Sequence, residues 1–528
     1  MAKLLLINPS YFRTYGSNEG GLGNPIYPVL SLATVGATAR HAGHDVRIVD
    51  MSYVRYDPDS VRGVIRSEKP DVVGITATTP LANQMIDISY LAKDISRDIV
   101  VVAGGPHATA LPEETLRQSA LDCVVYGEGD LTIADILRGG PLREVEGVCW
   151  RNGETAVRNA KRNWVMNLDD LPMPAFDLYP VDEYRKHVTR VIARRTPVST
   201  IEFSRGCVFQ CDFCASKNTM GLGYRKKSPE RCAEEMLYMQ KLGYREVVLA
   251  DDIFTSDNNW AAAVCEAFIR RGVTMAWTCT NGIRVDSANN ELFGLMKRAG
   301  CYRVHFGFES GNDKVLTAFG KGGKATLEQG IRAVEVARSS GMETFGMFML
   351  GLSADTESSM RDTIEYAKRC SVDAMRFGIT VPFPGTKMFD ELHRKGRIKC
   401  YDWDYYTVYN DVRALYDHPQ LSWETVNRYY RKSHIETYLM NPAYILRRLR
   451  SHLLSLELFW DVIYFFKFLK TMVIARNRVD VPERYAFESV WRGRGVDPSN
   501  IRFTEPDKVR HTHTPRPQQQ QQPAQSAA

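Results

Sequence analysis

Three cysteines stand close together in the segment 205–216, which reads RGCVFQCDFCAS. Their spacing is Cys207-x3-Cys211-x2-Cys214, and Phe213 directly precedes the last cysteine. Soft thiolate ligands suit iron–sulfur centres, and three thiolates this close in sequence can converge on one [4Fe–4S] cluster. Three protein ligands for four irons leave one iron open. An open iron can chelate a substrate or cofactor, whereas a fully ligated cluster only transfers electrons.

A structural zinc site and coincidental core cysteines are the two alternatives for this segment. Zinc normally takes four ligands, and no Cys or His pair nearby supplies the fourth at a usual spacing. The spacing therefore favours an iron–sulfur cluster. The remaining cysteines are scattered, and most of them are predicted to be core thiols: Cys123, Cys149, Cys232, Cys265, Cys279, Cys301, Cys370 and Cys400.

The strand before these cysteines is the first of about six strand–helix pairs predicted within residues 196–390. The apolar runs that predict the strands lie at 199–203, 246–250, 274–280, 302–308, 343–350 and 374–381. Strands that alternate with helical patterns pair in parallel. Six such units predict a partial (βα)6, TIM-like barrel.

Residues 1–145 also alternate strand and helix patterns. Continuous β-branched runs separated by helices predict a parallel sheet covered on both faces, and hence a doubly wound, Rossmann-like domain. Such a domain binds ligands at the carboxyl ends of its strands. Helices are predicted near 29–42, 82–95, 113–119 and 131–137.

The other segments of this α/β chain carry weaker signals. Residues 146–195 include a proline-punctuated stretch at 171–180 and are predicted to be a linker. Residues 391–505 are rich in aromatic residues and Arg and are predicted to be helical. Residues 506–528 are of low complexity, and we expect them to be disordered.

Composition excludes several classes of protein. Of the 528 residues, 44% are apolar and 25% charged, which is ordinary for a soluble globular protein. The net charge of +6 is small, and no dense Lys/Arg stripe predicts nucleic-acid binding. The first residues, MAKLLLINPS, do not form a signal peptide, and no apolar stretch reaches the roughly 20 residues that span a bilayer. We therefore expect a cytoplasmic protein.

The cysteine segment resembles the signature of the radical S-adenosylmethionine (SAM) superfamily, CxxxCxxC after the first strand of a partial (βα)6 barrel. The aromatic residue before the last cysteine, Phe213, matches a position near the cofactor in that family. The resemblance implies that the open iron binds the amino and carboxyl groups of SAM. An electron then cleaves SAM to a 5′-deoxyadenosyl radical, which abstracts a hydrogen atom. It also implies an electron donor such as flavodoxin or ferredoxin.

Two further strand ends fit this resemblance. Asp251 and Asp252 follow the second barrel strand, where the family places polar groups near the methionine amino group; alternatively they cap the next helix. Glu309 and Ser310 end the fourth strand and match the position that contacts the ribose; alternatively Glu309 caps a turn.

Residues 1–140 resemble the cobalamin-binding domain that precedes some radical SAM domains. The resemblance rests on the strand-end loops 74–80 (GITATTP), 104–114 (GGPHATALPEE) and 127–130 (GEGD). Small residues let the backbone approach a large flat ligand, and threonine hydroxyls can bond its amide side chains. The candidate cofactor-binding residues are Thr76, Thr78, Gly104, Gly105, Pro106, His107 and Gly127.

One departure concerns the cobalt ligand. Many cobalamin proteins carry Asp-x-His-x-x-Gly after the first strand, but the loop 8–21 has no His. The resemblance therefore implies cobalt without a protein His ligand. His107 either lines the site or serves the structure of its turn.

Apolar residues recur at helical spacing through 443–478, interspersed with Arg447, Arg448, Arg450, Lys467 and Lys470. This pattern predicts either peripheral membrane contact through a basic amphipathic helix or a helix packed on the barrel. If the segment contacts a membrane, we expect a lipid-like substrate.

The resemblance as a whole implies a cobalamin-dependent radical SAM enzyme. The leading hypothesis is transfer of a methyl group from methylcobalamin to an unactivated carbon of a hydrophobic or natural-product-like substrate. The alternative is oxidative cyclisation, carbon–carbon bond formation or rearrangement, as in relatives similar to the anaerobic magnesium-protoporphyrin ester cyclase. An iron–sulfur electron carrier or redox sensor is the remote alternative.

Overall fold

Two sheets built on parallel strands organise the chain in its computed structural model, which describes residues 1–12, 26–186, 193–320, 326–408 and 413–452. The predicted disordered tail at 506–528 and residues 453–478 of the predicted amphipathic segment lie outside these residues. No helix within the described ranges is long and apolar enough to cross a membrane.

The first sheet has seven strands in the order β2-β1-β3-β4-β5-β6-β7. Its first five strands are parallel, which confirms the predicted Rossmann-like domain. The order reverses between β1 and β3, and an open sheet of this kind binds ligands at the carboxyl edge beside such a reversal. The strands are β1 Lys3–Asn8, β2 Asp45–Asp50, β3 Val72–Thr76, β4 Val100–Gly104, β5 Cys123–Val125, β6 Val148–Asn152 and β7 Thr155–Arg158.

Helices cover both faces of this sheet. The helix after β2 was not predicted, although Asp57 caps it by accepting a hydrogen bond from the Ser60 N–H and a proline follows that cap. The helices are α1 Leu30–His41, α2 Pro58–Glu68, α3 Ala82–Ile95, α4 Pro106–Ala110, α5 Pro112–Gln118 and α6 Thr132–Leu137.

The first sheet extends beyond the predicted boundary at residue 145. β6 pairs antiparallel with β5, and β7 pairs antiparallel with β6, so this hairpin belongs to the first domain. The predicted linker 146–195 is thus wrong for its first part. The short helix α7, Val181–Lys186, also packs on the first domain, because the Tyr184 hydroxyl donates to Asp50.

The second sheet is the predicted partial (βα)6 barrel. All six of its strands are parallel, in the order β15-β14-β13-β12-β11-β8. They are β8 Val198–Ile201, β11 Glu246–Leu249, β12 Ala276–Ile283, β13 Cys301–Glu309, β14 Glu343–Leu350 and β15 Ala374–Ile379. A separate two-stranded antiparallel ribbon joins β9, Ser204–Arg205, to β10, Arg225–Lys226.

Most of the helices around the barrel begin at polar caps. Asp257 accepts from the Trp260 N–H, and Thr326 and Thr356 each form a reciprocal capping box. The helices are α8 Ser216–Thr219, α9 Pro229–Lys241, α10 Asn258–Arg271, α11 Asn290–Arg298, α12 Asp313–Ala318, α13 Leu327–Ser339, α14 Glu357–Cys370 and α15 Lys387–Arg394.

Residues 398–408 and 413–426, here together called the return segment, share a core with the first domain. The Asn83 amide of α3 donates to Asp402 at 2.9 Å and to Asp404 at 3.0 Å. Trp403 is fully buried in a core shared with the first domain. The prediction of a helical region is wrong for much of this segment, since regular helix resumes only at α16, Trp423–His434, and α17, Pro442–His452.

Candidate functional site

The cysteine segment differs from the other cysteines in its exposure. Cys207, Cys211 and Cys214 are partly exposed, whereas the other eight are buried. Within the described ranges no three Cys, His, Asp or Glu side chains form a group that could hold a single metal ion. A cubane spreads its ligands over several irons, so three cluster thiolates need not converge on one point. Burial raises the pKa of the Cys207 and Cys214 thiols, so iron has to displace protons when it binds.

Backbone hydrogen bonds hold this segment between the end of α12 and the start of α15. The Asp212 N–H donates to the Phe319 carbonyl at 3.2 Å, and the Met388 N–H donates to the Asp212 carbonyl at 2.9 Å. The Phe213 ring meets the Phe319 ring edge to face, with centroids 5.3 Å apart. A cavity of about 210 Å³ lies beside these contacts. Its lining includes Asp212, Phe213, Phe319, Leu352 and Met388.

The two aspartates after β11 have different surroundings. Asp251 is buried and accepts hydrogen bonds from the Phe203 N–H and the Ser204 hydroxyl, so it fixes the chain just before the cysteines. Burial raises the pKa of Asp251 to about 7. Asp252 accepts from the Gly206 N–H at 3.2 Å and lies near Cys207. Neither caps α10, because Asp257 does so; Asp252 is the aspartate that faces the cysteine segment.

Glu309 occupies an unusual backbone conformation at the end of β13. Its φ is +62°, a left-handed value that is uncommon for any residue but glycine and that persists where the surroundings enforce it. Its carboxylate is near Cys214 and partly exposed. Ser310 is fully buried, and its hydroxyl contacts the Thr363 hydroxyl at 3.3 Å and accepts from the Asn312 N–H at 3.2 Å. Ser310 thus holds the turn that presents Glu309.

The carboxyl edge of the first sheet brings together the glycines and threonines singled out above. Thr76, Gly104, Gly105 and Gly127 are partly exposed there, and Thr78 and Pro106 are exposed. A Cβ on Gly105 would stand 2.9 Å from the Ala77 carbonyl oxygen, because the loops after β3 and β4 touch at this point.

His107 lies away from this open edge. The ring is 1% exposed and meets Trp403 of the return segment with centroids 5.0 Å apart. Burial lowers the pKa of His107 to about 3, so the imidazole is neutral. In this structure the ring packs its turn against the return segment.

A buried ionic cluster joins the first domain to the cysteine segment. Arg205, two residues before Cys207, donates to Glu128 at 3.0 Å, to Asp130 at 2.8 Å and to Glu202 at 2.6 Å. Arg225 donates to Glu128 at 2.7 Å. Sequence analysis missed this cluster; its signals were an arginine beside the cysteine motif and two acids in the GEGD loop.

The geometry at Gly105 makes a prediction that a matched glycine can test. Gly105→Ala should destabilise the protein, because its φ of +99° costs an L residue about 1–3 kcal/mol and the added Cβ also collides with the Ala77 backbone. Gly43→Ala should carry only the first cost, since φ is +88° and no described atom lies within 4 Å. Urea unfolding of both variants checks this. Equal losses would show that the two strand-end loops do not meet as described.

The chain matches two protein families. The B12 binding domain matches residues 24–137, and the Radical SAM superfamily matches residues 201–367. An uncharacterized methyltransferase of Pyrococcus horikoshii is 31% identical over 456 residues, which are 85% of this chain and 95% of that protein. The anaerobic magnesium-protoporphyrin IX monomethyl ester cyclase of Rubrivivax gelatinosus is 25% identical over 459 residues, or 84% of this chain and 78% of the cyclase.

A solved structure shares the fold. It is a radical S-adenosylmethionine methyltransferase of Kitasatospora setae with tryptophan substrate and a SAM analogue bound. The TM-score is 0.62 at 18% identity, over 75% of this chain and 76% of that one.

Proposed function

The chain belongs to the radical SAM enzymes that carry a B12-binding domain, and from that premise we propose a methyltransferase that acts on an unactivated carbon of a hydrophobic substrate. The observation that carries this proposal is the ionic cluster around Arg205, since it fixes the candidate cobalamin loop at 127–130 beside the cysteine segment. Methyl transfer needs the methyl donor and the radical source to meet at one substrate.

The residues described above fit the three groups that this chemistry requires. Cys207, Cys211 and Cys214 would hold the [4Fe–4S] cluster. Asp252 and Glu309 would hold the polar groups of SAM, with the adenosine in the cavity beside Phe213. When bound, these groups and cobalamin supply an electron, a hydrogen-abstracting radical and a methyl group.

The first sheet would hold cobalamin at its carboxyl edge. The candidates are Thr76, Thr78, Gly104, Gly105, Pro106 and Gly127, where small side chains leave room for a flat macrocycle. We propose that cobalt has no protein His ligand, because the loop after β1 contains no His and the His107 ring is turned into the core.

The setting of the enzyme is part of the proposal. A reduced cluster needs an electron donor such as flavodoxin or ferredoxin, and free thiols are stable in the cytoplasm. The basic segment 443–478 supports peripheral membrane contact and a lipid-like substrate.

The ratio of products distinguishes methyl transfer from cyclisation, which the identity to the Rubrivivax cyclase supports as the alternative. One SAM serves the radical and another the methyl group, so turnover should yield 5′-deoxyadenosine and S-adenosylhomocysteine in about equal amounts. Anaerobic reconstitution with methyl-labelled SAM and a cellular lipid extract, followed by mass spectrometry, measures both. Verified substrate conversion without S-adenosylhomocysteine and without labelled methyl in the product would contradict the assignment.

A further inference from the structure

The side chains of β13 alternate between the helices outside the barrel and the lumen inside it. Val304, Phe306 and Phe308 belong to the apolar core under the helices. Successive residues of a strand point to opposite faces. His305, Gly307 and Glu309 therefore face the lumen.

The register with β14 arranges the lumen in layers. At the bottom, Arg303 and Glu343 pair at 2.8 Å. Above them His305 lies opposite Phe345, and the two rings stack with centroids 4.4 Å apart and planes 14° from parallel. The layer above pairs Gly307 with Met347.

The lumen is open down to the His305 layer. In and above this layer, the lumen-facing residues of β14, which are Phe345, Met347 and Met349, are partly exposed, whereas every residue on its other face is buried. Gly307 adds no side chain, and among the described atoms a Cβ on Gly378 would meet only the Phe348 carbonyl oxygen, at 3.9 Å. His305 itself is 7% exposed, so the open space ends at its ring.

One polar atom at this inner end lacks a partner. Among the described residues, none forms a hydrogen bond with His305 Nε2. Burial and the Arg303 charge hold the pKa of His305 well below its usual range, so the ring is neutral and offers one donor and one acceptor. Buried polar atoms in native proteins nearly always have partners, because an unmade hydrogen bond is costly. A ligand that enters the lumen can supply the missing hydrogen-bond partner of His305 Nε2.

We propose that His305 anchors a substrate subsite in the barrel lumen, which takes a mainly apolar molecule with one neutral hydroxyl or carbonyl group at its inner end. Phe345 and Met347 form the apolar wall along the molecule. A carboxylate at the depth of His305 would find the nearest cation below it, Arg303, already paired with Glu343. This subsite rests on the proposed function, whose substrate it describes.

Two probes of the same shape test the subsite: 2-naphthol and 2-methylnaphthalene, which differ by one hydroxyl. Their dissociation constants are measured by anaerobic calorimetry on the holoenzyme without reductant, so no turnover occurs. The wild type should bind 2-naphthol about tenfold more tightly, the usual size of one buried hydrogen bond. His305→Phe keeps the stacking on Phe345 but should remove this preference, leaving the affinity for 2-methylnaphthalene within about twofold.

Two control variants distinguish the loss of the proposed His305 hydrogen bond from a general loss of stability. His434→Phe changes a histidine that is also buried but packs on Phe377, outside the lumen, and should keep the preference. His305→Gln retains a donor and an acceptor and should bind 2-naphthol at least about threefold more tightly than 2-methylnaphthalene. This variant keeps the test valid if His305→Phe does not fold.

Three outcomes would overturn the subsite: equal affinity of the two probes for the wild type, no binding of either, or a preference that survives in His305→Phe. An ordered water that satisfies Nε2 predicts the first two. Because the measurement needs no methyl transfer, its failure would leave the product ratio intact, and an unexpected product ratio would leave this binding result intact.

Discussion

Replacing Cys207, Cys211 or Cys214 with alanine is expected to abolish SAM cleavage and to remove most of the iron from the purified protein. Each thiolate holds a different corner of the proposed cluster, and two ligands in one short segment do not retain a cubane. Iron content and the iron–sulfur absorbance, measured after anaerobic reconstitution, report binding, and 5′-deoxyadenosine formation reports cleavage.

Cys265→Ala and Cys370→Ala are the matched controls, since both thiols lie in the core beneath the barrel helices. They should keep iron and cleavage, at a stability cost of about 1–2 kcal/mol for the small cavity. A normal iron–sulfur spectrum in the variant that lacks all three motif cysteines would disprove the cluster assignment.

Arg205→Ala is expected to destabilise the protein by about 3–5 kcal/mol, because it leaves buried carboxylates without their partner. The side chains of Arg205, Glu128 and Asp130 are each only 5–6% exposed. Arg40→Ala is the control: its ion pair with Asp177 is 44% and 36% exposed, and its loss should cost less than about 1 kcal/mol. Urea unfolding at pH 7 measures the free energy of unfolding of both variants. Similar losses of stability would show that the buried cluster contributes no more than an exposed ion pair.

The cost of losing Arg205 should depend on pH. Burial alone would raise the pKa of Asp130, but the charge and hydrogen bonds of Arg205 outweigh it and lower that pKa. A lowered folded-state pKa gives stability that is present above the unfolded value, about 4, and is lost as pH falls through the folded value. Without Arg205, burial raises the pKa of Asp130 above its ordinary value, so the difference between wild type and Arg205→Ala should already be smaller at pH 4 than at pH 7 and should shrink further as the pH falls through the folded value.

Regular elements with strong local patterns could be predicted from the sequence. The six barrel strands follow from their apolar runs, and α3 was predicted with its observed bounds, Ala82–Ile95. The hairpin β6–β7 was missed because its strands are short and half-exposed, so their pairing depends on the edge that β5 offers. The return segment was misassigned as helix because its aromatic residues pack on another domain instead of along one helical face.

The site was predictable in its residue types but not in its side-chain directions. The sequence predicts Asp251 and Asp252 as a pair. Only the structure shows that Asp251 bonds the chain just before the cysteines, whereas Asp252 bonds the cysteine segment itself. The same holds for His107, whose ring packs on Trp403, more than 290 residues later in the chain. Arg205 was overlooked because two of its three carboxylate partners, Glu128 and Asp130, come from another domain.

The return segment has a consequence for how the protein is synthesised. A ribosome completes β7 at Arg158 but reaches Trp403 only after a further 245 residues. At about 5–20 residues per second the nascent first domain waits roughly 10–50 s with the surface around His107 uncovered. The return segment later covers that surface with apolar side chains. The core of the first domain is therefore completed last, because the return segment that completes it is synthesised only after the barrel.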